Sequence, residues 1–407
     1  MDIKEKMNKK FRDLQGGLFS QVTKADVGEG AGNLMKQDVD IMAWADPFFP
    51  DPSITESVKK VMIEAIEEGF SAHYSMPIGL FELREALAKK VTEKTGINID
   101  PSRNIIVTPG SDPGLLYSMM PFISDGDEVM VIDPSYPSNF LNPKLLGGET
   151  VPVPIYEENG YQIRIEEFEK RLTDKSKMVL ITHPNNPTTT VFRRESIEKL
   201  CKFIIDNDLI LVSDQAFEDH IFDDLEFVHP CTLPGMWERT LTVCSISKGI
   251  GLSGFRIGYI YADDRIMDVL YGGAVNVLGA AATVTSIGAI AALKDNDHLN
   301  DNYERFERRR RIAYDILSTI PGVKLNISES GFLSWINISK LGTSEEIVEY
   351  ILKEAKIFVN EGSTYGEQGE GYIRIVTGCF KDDEDAINAL NRIKRALIKL
   401  ANVKGII

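Results

Sequence analysis

The stretch "SISKGIGLSGFRIGY", Ser245 to Tyr259, carries Gly249, Gly251 and Gly254 in the spacing G-x-G-x-x-G, with Lys248 immediately before the first glycine. A dinucleotide-binding loop of that spacing must follow a strand and open a helix, so that helix-terminal amides meet a pyrophosphate. Here the glycines run straight into the strand-like "FRIGYIYA", which leaves no room for the helix. What the stretch does gather is two hydroxyls, Ser245 and Ser247, an amine, Lys248, and a guanidinium, Arg256, beside close-packing glycines. Serine and arginine hold a phosphate and a lysine condenses with a carbonyl, so the cluster suits a phosphorylated aldehyde bound as a Schiff base.

Outward from this stretch, Asn104 to Ala262 repeats a short β-branched run followed by an amphipathic segment. The runs are "NIIVTPG", "EVMVIDP", "KMVLITHP", "LILVSDQAF", "TLTVCSIS" and "IGYIYA", with helical periodicity in "RRESIEKLCKFIIDN" and similar segments between several of them. Near-continuous apolar strands alternating with helices predict an α/β fold, a mostly parallel sheet covered on both faces. Ligands of such sheets collect at the carboxyl ends of the strands. The polar residues that follow these runs are Gly110, Ser111, Tyr136, Asn186, Asp214, Ser245 and Lys248.

After Leu293 the pattern becomes a long charged helix around Asn302 to Thr319, then short strands and helices ending in a helix from Asp382, which reads as a smaller α+β unit. The expected division is an arm and part of the small domain over 1–50, a large domain over 51–293 and a small domain over 294–407. The arm is Gly-rich from Gly16 to Gly32, with little periodicity, and is expected to pack elsewhere in the assembly.

A formal charge of -16, from 61 acidic and 45 basic residues, argues against nucleic-acid or anionic-lipid partners. The dense basic run Arg308 to Arg311 lies in the long helix and reads as a solvated or ion-paired face. Cys201, Cys231, Cys244 and Cys379 show no zinc spacing and no disulfide framework, so no metal is expected and a reducing, cytoplasmic compartment fits. Tyr271 to Leu293 contains no charge, but it is built largely of Ala, Gly, Ser and Thr, and it reads as a buried helix between domains rather than a membrane span.

Taken together, the ordered motifs resemble the class I/II aminotransferases of fold type I, which use pyridoxal 5'-phosphate, over nearly the whole chain from about Ala45. "SISKGIGLSGFRIGY" looks like the family's lysine motif with its arginine eight residues on, and "HPNNPT" (His183 to Thr188) like N-N-P-T-G. "VSDQAF" is similar to the strand-end aspartate motif, "YSMPIG" to the tyrosine loop, and "YIRIVTG" to the carboxylate-binding arginine strand. The resemblance implies that Lys248 holds the cofactor and moves a proton, that Asp214 keeps the ring nitrogen protonated, and that Asn186 donates to its phenolic oxygen. It implies that Tyr136 stacks on the ring, and that the Gly110, Ser111 and Asp112 backbone joins Ser245, Ser247 and Arg256 at the phosphate. The Asp112 carboxylate is expected to turn away from that phosphate. Tyr74 resembles a residue that reaches the neighbouring subunit's cofactor, implying a homodimer, and Arg374 would clamp the substrate carboxylate as a two-pronged pair.

The chain also departs from the family. Phe217 stands where a tyrosine is usual, Thr189 replaces the glycine of N-P-T-G, and Ala45 replaces a glycine in "WADPFFPDP". Thr189 and Ala45 are expected to add bulk near the substrate entrance, and the absence of arginine between Arg265 and Arg305 favours a neutral or apolar amino donor. The expected activity is transamination between an α-amino acid and a 2-oxo acid. The alternative is another pyridoxal phosphate enzyme on the same scaffold, such as a carbon-sulfur β-lyase, a decarboxylase or a synthase. A non-catalytic effector-binding domain of a transcription regulator is disfavoured by the intact Lys248 and by the lack of a separate DNA-binding region.

Overall fold

The computed structural model of the chain describes residues 3–12 and 38–406, so the glycine-rich arm lies outside the described residues. Strand β1 (Asp40–Ile41) precedes a central sheet made of β2 (Ile105–Thr108), β3 (Glu128–Asp133), β4 (Glu149–Pro154), β5 (Ser176–Thr182), β6 (Ile210–Asp214), β7 (Thr240–Ser245) and β8 (Gly258–Tyr261). Its order is β2-β8-β7-β6-β5-β3-β4. Only β8 runs antiparallel to its neighbours, pairing Val107 with Tyr259 on one side and Cys244 with Tyr259 on the other.

The alternation of side chains along each strand sends apolar residues to both faces, which is why these runs are nearly continuous in apolar residues, with the small hydroxyls of Ser213, Thr240 and Thr242 buried among them. Met130, Ile132, Val179 and Ile181 pack with Ile197, Leu200 and Ile204 of the helix Arg194–Asp206. Val129, Val131, Met178 and Leu180 point the other way, toward Leu115 and Met119 of the helix Ser111–Met119 and Met267 and Leu270 of the helix Asp264–Val277. Strand β4, "ETVPVP", does not stand out in the sequence because Pro152 and Pro154 mask it. At the sheet edge, where β4 lies, a missing N–H is tolerated.

A second sheet comprises β9 (Lys324–Leu325), β10 (Leu333–Asn337), β12 (Asn360–Glu361) and β13 (Tyr372–Val376), in the order β12-β13-β10-β9, while β11 (Ile357–Phe358) pairs in parallel with β1. The helices Asn296–Leu317, Ser344–Ala355 and Asp383–Val403 enclose its core. Thr343 and Glu346 form a capping box that starts the second of these helices.

One sequence expectation resolves between its two alternatives and another needs correction. The run Arg308 to Arg311 is ion-paired, and its middle is buried: Arg309 binds Asp383 at 2.8 Å and the carbonyls of Thr377 and Cys379, and Arg310 binds Asp223 and the Ser328 carbonyl. The uncharged stretch Tyr271 to Leu293 is not one buried helix. It is the end of one helix and all of another, Thr283–Leu293, separated at the left-handed Gly279, and Val275 and Val277 of the first are exposed. None of the described helices is long and apolar enough to cross a membrane.

Candidate active site

A cavity of about 430 Å³ opens at the carboxyl ends of β5, β6 and β7. Ala45, Ser111, Asp112, Tyr136, Asn186, Asp214, Ser247, Lys248, Arg256 and Arg374 all reach its wall, although they span 330 positions of sequence. Gly110, Ser245 and Tyr74 do not. The Ser245 hydroxyl turns back to accept the Ser247 N–H at 3.0 Å, bracing the turn that carries Lys248, and Tyr74 is 99% exposed, away from the cavity of its own chain.

Lys248 leaves that turn and donates from Nζ to the Ala45 carbonyl. The turn is fixed from behind, because a Cβ on Gly249 would lie 2.1 Å from Asp219 Oδ2. Asp219 is bound in turn by Lys90, at 2.9 Å, and by Lys94. Burial pushes its carboxyl up, but the two lysines outweigh this and hold it below the ordinary carboxylate range.

At one end of the cavity the chain builds a corner for an anion. Gly110 adopts φ +101°, and a Cβ there would lie 2.3 Å from Arg256 Nη2, so the missing side chain is what lets the guanidinium lie against the turn. A Cβ on Gly258 would meet the Gly110 carbonyl carbon at 2.5 Å, so β8 packs backbone to backbone on the same turn. The helix Ser111–Met119 starts here, and its first amides have no intrahelical acceptor. With Ser247 and Arg256 they form a donor set suited to phosphate. Asp112 stands in the cavity wall, and its carboxylate accepts the Tyr136 hydroxyl at 3.1 Å.

On the floor lies Asp214, the last residue of β6, buried and hydrogen-bonded to the Ala216 N–H at 3.1 Å and the Thr182 hydroxyl at 3.5 Å. Burial pushes its pKa up to about 7, Asp112 adds to the push, and Ala216, Thr182 and Lys248 oppose it. A carboxyl in this state gains most from a cation placed beside it. Arg374 closes the far end, fully buried, with Nη1 donating to Asn186 Oδ1 at 3.0 Å and Nη2 to the Ala43 carbonyl at 2.8 Å and Asn360 Oδ1 at 2.7 Å. The set fits pyridoxal phosphate: an anion corner, a buried acid for a ring cation, and an amine sharing one cavity.

Sequence reasoning missed Thr182, Trp44, Asp46 and Ser253, all in the cavity wall. Thr182 carried a usable signal, being the polar last residue of an apolar strand, paired in register with Asp214. Ser253 was masked by the glycines around it, yet its carbonyl accepts Arg256 Nη1 at 2.8 Å. Ala45 takes its expected place in the cavity. Thr189 does not, because the left-handed turn at Thr189, φ 63°, directs that residue to a second cavity.

Residues 40–393 match the family model for aminotransferase class I and II. The chain is 33% identical to the aspartate aminotransferase of Pyrococcus abyssi over 368 residues, covering 88% of this chain and 92% of that one. It is 32% identical to aromatic-amino-acid aminotransferase 2 of Thermococcus litoralis, covering 84% and 89%. Its fold superposes on the crystal structure of an aromatic aminotransferase from Pyrococcus horikoshii with a TM-score of 0.84 at 30% identity, covering 92% of this chain and 100% of that one.

Proposed function

The chain belongs to the class I and II aminotransferases, pyridoxal phosphate enzymes that exchange an amino group between an amino acid and a 2-oxo acid, and we propose that it does so in the cavity between Arg256 and Arg374. The observation that carries this reading is the meeting of Lys248 and Asp214 in one cavity wall with a guanidinium at each end. When bound, pyridoxal phosphate supplies a carbonyl that reacts with amines and a ring that takes up the electron pair released at the substrate Cα. Lys248 Nζ holds the group and then carries the proton at the substrate Cα. Asp214 keeps a proton on the ring nitrogen, and Thr182, itself bonded by Asn139 at 2.9 Å, orients that carboxylate. Ser247, Arg256 and the amides of Ser111 and Asp112 bind phosphate, with Gly110 and Ser245 shaping the turns beneath them. Tyr136 covers a ring face, Asn186 donates to the phenolic oxygen, and Arg374 binds the substrate α-carboxylate beside Ala45.

The substrate in this reading is a neutral or apolar amino acid. Among the described residues, the cations lining the cavity are Lys248, Arg256 and Arg374, each already assigned, while Asp46 and Asp112 add negative charge. A second substrate carboxylate would be desolvated there without a partner. The active unit in this reading is a homodimer, with Tyr74 completing the neighbouring site. Tyr74, Phe70, Met76, Ile63 and Ile66 are all exposed, on a loop that Thr283 pins through the His73 carbonyl at 2.7 Å and on the helix before it. The buried free cysteines suit the cytoplasm.

A single-turnover panel tests the reaction. Amino acids offered without a 2-oxo acid convert a transaminase stoichiometrically to its aminated cofactor, whereas a β-lyase regains its starting spectrum and releases pyruvate and ammonia. Lys248→Ala is expected to abolish borohydride-stable attachment of the cofactor, and persistence of that attachment would refute the assignment.

A further inference from the structure

Asp133, the last residue of β3, does not line the catalytic cavity, yet it is a carboxylate only 2% exposed at the carboxyl end of the central sheet. Its partners belong to a loop 234 and 235 positions further along the chain: Oδ2 accepts the Glu367 N–H at 3.0 Å and Oδ1 accepts the Gln368 N–H at 3.2 Å. Next to them the Ser135 N–H donates to the Tyr365 carbonyl at 2.8 Å, so loop 365–368 is fastened to segment 133–135 at three points. Gly366 makes the fit possible. It adopts φ +122°, and a Cβ there would lie 2.0 Å from Asp133 Oδ1.

Each of the two segments leads to the catalytic cavity. Segment 133–135 runs directly into Tyr136, and its Pro134 carbonyl accepts Asn185 Nδ2 at 3.2 Å, beside Asn186. Loop 365–368 begins with Tyr365, whose ring lies 4.9 Å from the Arg374 guanidinium as a cation–π partner. Asn360, which also binds Arg374, sits on β12 as its register partner, and Ala43 follows Met42, whose carbonyl accepts the Val376 N–H of β13. These two holders therefore orient the guanidinium within its own sheet. Asn186 and Tyr365 instead refer it to the central sheet, and both are bonded through segment 133–135. We propose that Asp133 is a positioning residue of the substrate site, which by holding loop 365–368 sets where Arg374 stands relative to Tyr136 and Asn186; this role rests on the transaminase function proposed above. A carboxylate suits the task because it is acceptor-only, with one oxygen for each N–H, whereas an amide would turn its own NH2 toward one of them.

The test compares Asp133→Asn, which keeps the side chain's size and one acceptor, with Gly366→Ala, which disturbs the same contact from the other side. Both are assayed as holoenzymes at about pH 8, above the pKa of about 6 to which burial raises Asp133, with the amino donor that the single-turnover panel selects. In each variant KM for that donor should rise at least about fivefold, while kcat and the pyridoxal phosphate dissociation constant stay within about twofold, the pattern of a lost binding contact rather than a lost chemical one. In the unmodified holoenzyme the Glu367 and Gln368 amides should exchange hydrogen at least about tenfold more slowly than exposed amides, and Asp133→Asn should remove that protection from one or both. An unchanged KM in both variants overturns the inference and leaves the transaminase reading intact, as does unprotected exchange in the unmodified enzyme. A loss of kcat and cofactor affinity as large as the rise in KM makes the junction a purely structural one and overturns it too. An unmodified chain that transaminates none of the donors fails at the reaction itself, before any variant is compared, and takes this role down with the function.

Discussion

Asp214 shows how one residue trades stability for chemistry. With its folded pKa raised from 3.8 to about 7, the native state holds a proton that the unfolded chain releases, so stability from this group is lost as pH rises between those values. The cofactor-free Asp214→Asn protein should therefore match the parent near pH 4 and exceed it at pH 8 by on the order of a few kcal/mol, read by urea denaturation, while losing activity. A constant gap across pH would reject the cause. The difference is the safer measure, since buried His183 and His220, pushed down by burial to about 3 and about 4, bias the parent's own profile the opposite way. Asp112→Asn removes the carboxylate that helps raise Asp214 and a negative charge from the first turn of the helix whose amides form the anion corner, so it should lower the Asp214 pKa and tighten inorganic phosphate binding severalfold. Phe217 lines the cavity, and Phe217→Tyr adds a donor there that favours an anionic oxygen on the bound group. The visible absorption of the loaded enzyme should then titrate with a lower midpoint, and an unmoved midpoint counts against that role.

At the scale of elements, the anion corner depends on two backbones, the Gly110–Ser111 turn and β8 at Gly258, meeting where no Cβ fits. Gly258→Ala places a methyl 2.6 Å from the Ser111 nitrogen and 2.5 Å from the Gly110 carbonyl carbon, atoms that cannot swing aside. Gly110→Ala instead meets the Arg256 guanidinium, the end of a flexible side chain, but at φ +101°. The first change should cost several times more stability than the second, whose strain is about 1–3 kcal/mol. The second should show mainly as cofactor affinity weakened at least tenfold, because Arg256 is displaced from the phosphate corner. Thermal melts and cofactor titration separate the two. The lysine motif "SISKGIGLSGFRIGY" thus has a physical explanation for its glycines: Gly249 admits Asp219 and Gly258 admits the Gly110 turn.

Across the whole molecule, the exposed apolar loop around Tyr74 predicts a dimer by sedimentation, and Tyr74→Ala should raise the cofactor dissociation constant while leaving that mass unchanged. A monomeric, fully active parent would refute the shared site. The six apolar strand runs and their order along the chain were legible because a sheet buried on both faces leaves few polar positions within a strand, as Val129 to Ile132 show. Lys248, Asp214 and Arg256 were legible because each follows such a run or its turn. Three-dimensional packing alone decided the rest. That Asp112 is tied at the cavity wall, that Thr189 serves a different cavity from Ala45, and that Arg309 and Arg310 are buried all depend on contacts with Tyr136, the second sheet, Asp383 and Asp223, far away in sequence. Periodicity records how often a residue meets the core; it carries no information about which distant carboxylate or ring a particular side chain meets there, and at this site that pairing sets charge, pKa and shape.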